Sequence, residues 1–293
     1  MKAKGLSILY VSLLEHYFSG CMMLDHLDIL DEARVTAVDD AIADGRVSIV
    51  VQNISPIDHP EEILYGECYA CLIDPDGTFH RASEFIPNLE ALCATPLLDR
   101  HILRLAMDHL EENPSANLGC NLSADNMSGS GSWAQIYQQI ASRPHLASRL
   151  VLEITETKPW TNAAMAYNFL TEVKQLGCRI AIDDFGIGCS TVLRLPSTLV
   201  DIVKIDALFI NESYRGSDDP DKFGHLVGLA GLIVPIIVID GIETATQLEM
   251  VRASGASHMQ GYWLSKPSLL QLGRDERNDI LIPDTCYQNW NQT

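Results

Sequence analysis

Two adjacent carboxylates, Asp183 and Asp184, close an apolar run, and Gly186 and Gly188 follow at once. Neighbouring carboxylates repel unless a cation lies beside or between them. Inside a strand they would point to opposite faces, but at its frayed end both can turn toward one site. Hard divalent cations take oxygen ligands, so metal binding is one chemistry open to this pair. The glycines permit a sharp turn directly behind it. Taken alone, Asp183-Asp184 reads equally as an acidic turn or a helix cap.

The elements that must carry such a pair are eight short apolar segments rich in β-branched residues. They are Arg46–Ile54, Ile63–Ile73, Ala116–Ser123, Arg149–Thr155, Cys178–Asp183, Asp201–Asp206, Pro235–Glu243 and His258–Leu264. Several are almost continuously apolar, as strands buried on both faces should be. Helical spacing of apolar residues runs over Pro96–Glu112, Trp133–Ser142, Thr161–Leu176, Asp219–Ile233 and Thr244–Ser254. Repeated strand-helix alternation predicts an α/β fold of the TIM-like (β/α)8 barrel kind. The first connection, Ser55–Glu62 with Pro56 and Pro60 inside it, is too short for a parallel crossover. One antiparallel strand is therefore expected in a hairpin of the first two, the second being the reversed one. No Ser/Gly-rich linker divides the chain. The barrel is expected over residues 31–273, with an N-terminal extension over 1–30 and a tail over 274–293.

A barrel places chemistry at the C-terminal ends of its parallel strands. Asn121 ends the third segment, Glu153 and then Glu156 the fourth, and Asp183 and Asp184 the fifth. Lys204 lies in the sixth, Glu243 in the seventh and Gln260 in the eighth, while Glu67 opens the second onto the same rim. Glu67, Asn121, Glu153, Asp183 and Glu243 offer an oxygen-only ligand set suited to Mg2+ or Mn2+. Asp184 is placed to hold a second cation, and a two-metal clamp suits in-line displacement at a phosphodiester. Lys204 would orient the attacking water or offset negative charge. The catalytic group is then Lys204, Glu67, Asp184 and Glu243. No Ser-His-Asp set and no HExxH pattern is evident, which disfavours a covalent nucleophile or a catalytic zinc.

Composition bounds the rest. A chain of 293 residues with 47% hydrophobic content can bury a large core. Its net charge of −19 argues against nonspecific binding to DNA or to anionic membranes. A phosphate ester would therefore need metals or local basic groups to overcome the field. Eight scattered cysteines fit a reducing, cytoplasmic compartment. Cys68-Tyr69-Ala70-Cys71 is formally a CxxC, but in a strand its cysteines face opposite sides and do not chelate. No apolar run is long and clean enough for a membrane span. Lys2, Lys4 and the apolar Gly5–Leu14 stretch faintly resemble a leader, interrupted by Glu15 and His16. An amphipathic helix, or a true start at Met22 or Met23, is the plainer reading.

Several ordered motifs resemble the EAL-domain family, the phosphodiesterases of the bacterial messenger cyclic di-GMP. They are Leu152-Glu153-Ile154-Thr155-Glu156, Asp183-Asp184-Phe185-Gly186-Ile187-Gly188-Cys189-Ser190 and Val203-Lys204-Ile205-Asp206. Gly241-Ile242-Glu243-Thr244, Gln260-Gly261-Tyr262-Trp263-Leu264 and Asn121-Leu122-Ser123 complete the pattern. The resemblance runs from about Asp31 to about Leu272. It implies a barrel with an antiparallel strand and hydrolysis of cyclic di-GMP to linear pGpG with two Mg2+ or Mn2+ ions. By it Glu67, Asn121, Glu153, Asp183 and Glu243 are the metal ligands, Asp184 serves the second metal and Lys204 contacts the catalytic water. Gln52 and Gln260 fall at substrate-binding positions, and Glu156 and Ser190 steady the loop after Asp184. That loop couples such sites to a homodimer interface.

The departures are specific. The naming tripeptide reads Glu67-Cys68-Tyr69, an arginine usual four residues after the glutamate is Cys71, and Asp240 stands where a glutamate is usual. A charge-assisted contact of that arginine is worth about 1.5–3 kcal/mol, so restoring arginine at Cys71 is expected to tighten ligand binding. The alternative function is a weak or inactive EAL module that acts as a cyclic di-GMP receptor or a protein-binding regulator. A third reading is an unrelated metal-dependent barrel enzyme that abstracts a proton beside a carboxylate.

Overall fold

The short first connection does produce a hairpin. In the computed structural model, which describes residues 35–127, 131–155, 163–187, 196–210 and 222–270, a helix α1 over 35–43 precedes it. Strand β1 (Val47–Pro56) then pairs antiparallel with β2 (Tyr65–Ile73), from Val47 opposite Leu72 to Ile54 opposite Tyr65. A three-residue strand β3 (Phe79–Arg81) and helices α2 (Ala82–Ala91) and α3 (Thr95–Glu112) follow. The remainder alternates: β4 (Leu118–Leu122), α4 (Ser132–Ala141), β5 (Leu150–Thr155), α5 (Ala163–Leu176), β6 (Arg179–Asp183), β7 (Ile202–Asp206), α6 (Lys222–Gly231), β8 (Ile236–Asp240), α7 (Ala245–Ser254), β9 (His258–Met259) and β10 (Ser268–Leu269).

The barrel closes in the order β1-β2-β4-β5-β6-β7-β8-β9, and β9 returns to β1 through Ser55 opposite Met259. The strand that runs against the others is β1, not β2. Strand β2 pairs parallel with β4, which α2 and α3 allow by supplying a full crossover, whereas β1 is antiparallel to both β2 and β9. Strands β1 and β2 are also about twice as long as β4 to β8. Their far halves pass the rim and pair with β10 and β3 instead of with barrel strands. Neither β3 nor α2 was anticipated: three residues are too few to show a period, and Pro87 interrupts the helical pattern.

Side chains alternate along every strand, so every second residue points into the barrel. One interior layer is apolar: Ile54, Tyr65, Val151, Ala181, Ile202 and Val238 pack on each other, and all are buried. A larger core fills the space between strands and helices. Gly119 of β4 belongs to the inner layer and leaves room there for a neighbour. A Cβ at this position would lie 2.5 Å from the Tyr65 ring and would also collide with a Glu153 carboxylate oxygen. Gly119→Ala is expected to cost about 1–3 kcal/mol, read as a lower urea midpoint with an unchanged slope. An unshifted midpoint would show that Tyr65 and Glu153 move aside freely.

A candidate metal and phosphodiester site on the barrel rim

Two residues farther along each strand, the same inward face becomes polar. Tyr65 is followed by Glu67, Gly119 by Asn121, Val151 by Glu153, Ala181 by Asp183, Ile202 by Lys204 and Val238 by Asp240. In the reversed β1 the step runs the other way, from Ile54 to Gln52, which pairs with Glu67. Gln260, just after β9, completes the ring. Gln52, Glu67, Glu153, Lys204 and Gln260 are each at most 2% exposed.

Lys204 sits among the carboxylates. Its Nζ donates to Glu67 Oε2 at 2.5 Å and to Glu153 Oε2 at 2.7 Å, and Asp183 Oδ1 lies at 3.4 Å. Carboxylate oxygens of Glu67, Glu153 and Asp183 all fall within 4.8 Å of one another. Glu67 also accepts from Asn121 Nδ2 at 2.9 Å, Gln260 Nε2 at 2.8 Å and Tyr69 Oη at 2.9 Å.

These contacts decide how the acids titrate. Burial pushes Glu67 up, but the Lys204 charge and the donors around it win, so its carboxyl is held below the usual range. Glu153 is pushed well up, first by burial and then by Glu67. Asp183 is raised by burial despite Lys204. Burial would lower the Lys204 ammonium, yet Asp183, Glu153 and Glu67 hold it well above its ordinary value. Asp240 is pushed to about 7, by burial with Lys204 opposing and Glu67 adding repulsion. Asp184 also reaches about 7, by burial and by Asp183.

Asp184 joins the site because its backbone turns. Its φ of 56° takes it out of the strand into the left-handed region, which aspartate tolerates better than most residues. Asp183 and Asp184 thus line one cavity of about 570 Å3, together with Glu67, Asn121, Asp206 and Asp240. The cavity's other end runs beneath α2 and α3, against Ile86, Pro87 and Leu98. The segment after Asn121 is fixed there by buried Asp99. Its Oδ2 accepts from Ser123 N and Oγ, both at 2.9 Å, and burial raises its pKa to about 6.

Glu243 is not in this cluster. Gly241, at φ 87°, ends β8 early, and Glu243 is exposed at the start of α7. The cause is a capping box: Gln247 Oε1 accepts from the Glu243 and Thr244 backbone N–H groups, and Thr244 Oγ1 accepts from Gln247 N. Asp240, in phase with Val238, holds the inward position instead. The Thr244-x-x-Gln247 pair was the available signal, since it fixes the helix start and moves Glu243 off the strand. Asp206 was also missed as a site residue; it is in phase with Lys204 and one layer higher. Glu156 and Ser190 lie outside the described residues. Cys71 is fully buried against Val50 and Phe79, and burial pushes its thiol to about 12. An arginine there would bury a charge inside an apolar cluster, so a missing cation is not restored at this position.

The donor set fits a hard divalent cation. It is all oxygen, and Glu153 Oε1 and Asp240 Oδ1 are buried acceptors without a protein donor. Among the described residues, no helix is long and apolar enough to cross a membrane.

A family model of the EAL domain matches residues 35–267. The cyclic di-GMP phosphodiesterase PdeF of Escherichia coli is 29% identical over 203 residues, covering 68% of this chain and 26% of that protein. The bifunctional diguanylate cyclase/cyclic di-GMP phosphodiesterase MucR of Pseudomonas aeruginosa is 32% identical over 151 residues, covering 52% of this chain and 22% of that one. The chain thus spans about a quarter of the length of these relatives. The solved PaMucR phosphodiesterase, in its c-di-GMP complex, superposes with a TM-score of 0.70 at 24% identity. That match covers 80% of this chain and 97% of the solved one, and at this identity it speaks for the fold.

Raised carboxyl pKa values stabilise the folded state below the ordinary pKa, and that stabilisation is lost as pH rises through the folded value. Asp184 and Asp240 move from 3.8 to about 7. In chelator, thermal stability is therefore expected to fall between about pH 4 and pH 7. Saturating Mn2+ should reverse the slope by replacing the protons. A flat profile in chelator would mean that these carboxyls are not buried as described.

Proposed function

We propose, from the premise that this chain belongs to the EAL domain family, that it binds cyclic di-GMP and hydrolyses one of its phosphodiester bonds to give linear pGpG. The observation that carries the reading is the convergence of Glu67, Glu153 and Asp183 oxygens within 4.8 Å around the Lys204 ammonium. Mutual repulsion makes such a buried set costly, and a fold alone does not require it.

Bound Mg2+ or Mn2+, two per site, would polarise the phosphate and lower the pKa of a water. Glu67, Asn121, Glu153 and Asp183 would hold the first ion and Asp184 the second, with Asp240 taking the strand-end role first expected of Glu243. Lys204 orients the attacking water and offsets charge that builds on the phosphate oxygens. Asp240, a carboxylate that lines the cavity beside Asp183 and Glu67, would accept the water's proton. Water oxygen forms the new bond to phosphorus, the bond from phosphorus to the 3′ oxygen breaks, and that oxygen leaves with the proton that Asp240 took from the water. The cavity lining suits the two parts of a nucleotide: carboxylates that would hold cations for the phosphate, and Ile86, Pro87 and Leu98 for the flat face of a base. Gln52 and Gln260, expected at substrate-binding positions, are fully buried: Gln260 donates to Glu67, and Gln52 donates to the Ser265 carbonyl.

Incubation with cyclic di-GMP and Mn2+ is expected to yield pGpG, and chelator to stop it. Glu67→Ala and Asp183→Ala should abolish turnover, while Asp184→Asn should lower the rate more than ligand binding. No product at enzyme concentrations near that of the substrate would sink the catalytic reading. One observation favours the receptor alternative: every donor contact of Glu67 is already made by protein groups, so a cation must displace some of them. Tight ligand binding without turnover would select that alternative.

The chain is further proposed to form a homodimer through the exposed apolar residues that follow β6 and β7. Ile187 is 50% exposed and Leu208 57%, and the turn at Gly186 rests on Leu226 of α6 and on Phe209. Leu208→Glu is expected to convert dimer to monomer in sedimentation velocity. A wild-type chain that sediments as a monomer at every concentration would end this proposal.

A further inference from the structure

The residue that departs most visibly from the expected pattern, Tyr69, touches the site directly. Two residues along β2 from Glu67, it points to the same face. Its strand has by then passed the barrel rim, and the ring packs against the small apolar cluster of Val50, Cys71 and Phe79. That packing fixes where the hydroxyl can go. Tyr69 Oη donates to Glu67 Oε2 at 2.9 Å and accepts from Gln260 Nε2 at 3.1 Å. Gln260 Nε2 also donates to the same Glu67 oxygen at 2.8 Å. The three side chains, drawn from β2 and from the end of β9, therefore form one closed hydrogen-bonded triangle.

Asn121 holds Glu67 Oε1 from the opposite side. The carboxylate is thus oriented by fixed donors at both oxygens, as ligating carboxylates commonly are by the groups behind them. An apolar side chain at position 69 could fill the same space but could not do this. The buried thiol of Cys71 belongs to the same arrangement, because a bulky charged residue there would displace the ring.

We propose that Tyr69 is a positioning residue of the candidate metal centre: its hydroxyl fixes the Glu67 carboxylate and the Gln260 amide against each other and so sets the centre's affinity for a divalent cation. The inference rests on the metal-centre reading above. It assigns to this chain a device built from the two features, Tyr69 and Cys71, that otherwise look like losses.

The test is a calorimetric Mn2+ titration of the full chain without nucleotide. Tyr69→Phe, which keeps the ring and removes one hydroxyl, is expected to weaken Mn2+ binding about tenfold. Its metal-free thermal midpoint should stay near that of the wild type, and its hydrolysis rate should recover as Mn2+ is raised. Tyr69→Leu should show the same loss of Mn2+ affinity, with a lower midpoint for the missing ring. Mn2+ affinity of Tyr69→Phe within about twofold of wild type, or tighter than it, would overturn the proposal. So would a Tyr69→Phe chain that does not fold without metal, since the role would then be structural. Wild-type protein that binds no Mn2+ at all would remove the metal centre itself, a result distinct from unchanged binding in the variant.

Discussion

Strand alternation inside a closed barrel is the constraint from which this molecule follows. Eight strands each contribute an inward residue at every second position, so the interior is built in layers. The lower layer, from Ile54 to Val238, is apolar and excludes water. Its neighbour is polar in every strand, and a barrel of this size gives that layer no exit except the rim. Stability and chemistry are therefore stacked on the same side-chain rows, one residue pair apart. Gly119 marks the joint, where a side chain would strike both Tyr65 below and Glu153 above.

Charge is the second organising fact. One ammonium, that of Lys204, faces Glu67, Glu153 and Asp183 at close range in a setting that removes their hydration. Attraction raises the lysine pKa despite burial, and the same attraction lets Glu67 stay ionised. Burial, which that one charge does not offset for every acid, raises the pKa of Glu153, Asp183, Asp184 and Asp240. A set poised in this way can exchange its protons for a cation, and ligation of that kind depends on pH. The chain's net charge of −19 makes Lys204 a local exception in an acidic molecule.

The hairpin of β1 and β2 does more than close the barrel. Both strands outrun their neighbours, and the far half of β2 lines the cavity through Cys68, Tyr69 and Ala70. Tyr69 belongs to that lining and reaches back to Glu67, while Cys71 is sealed behind it. Substitutions that look in isolation like erosion of a binding motif thus form a packed and hydrogen-bonded unit.

Much of this was legible in the chain. Periodicity and segment spacing determined the barrel, the hairpin and the strand assignments of Asn121, Glu153, Asp183 and Lys204, because alternation and crossover length are local properties. Motif order identified the family. Local rules fell short where a contact distant in sequence decided the outcome. Which hairpin strand is reversed depended on β2 pairing with β4 and β1 with β9, and no property of either strand alone encodes that. Glu243 was expected inside because it follows an apolar run, but a capping box in α7 claimed its backbone and left Asp240 facing the barrel. Tyr69 and Cys71 read as losses until the fold brought Gln260 and Phe79 against them. The sequence by itself determined which residue types occupy each inward row. Only the tertiary structure decided which of them share a site, since the hydrogen bonds and burial that tune their charges join residues nearly two hundred positions apart.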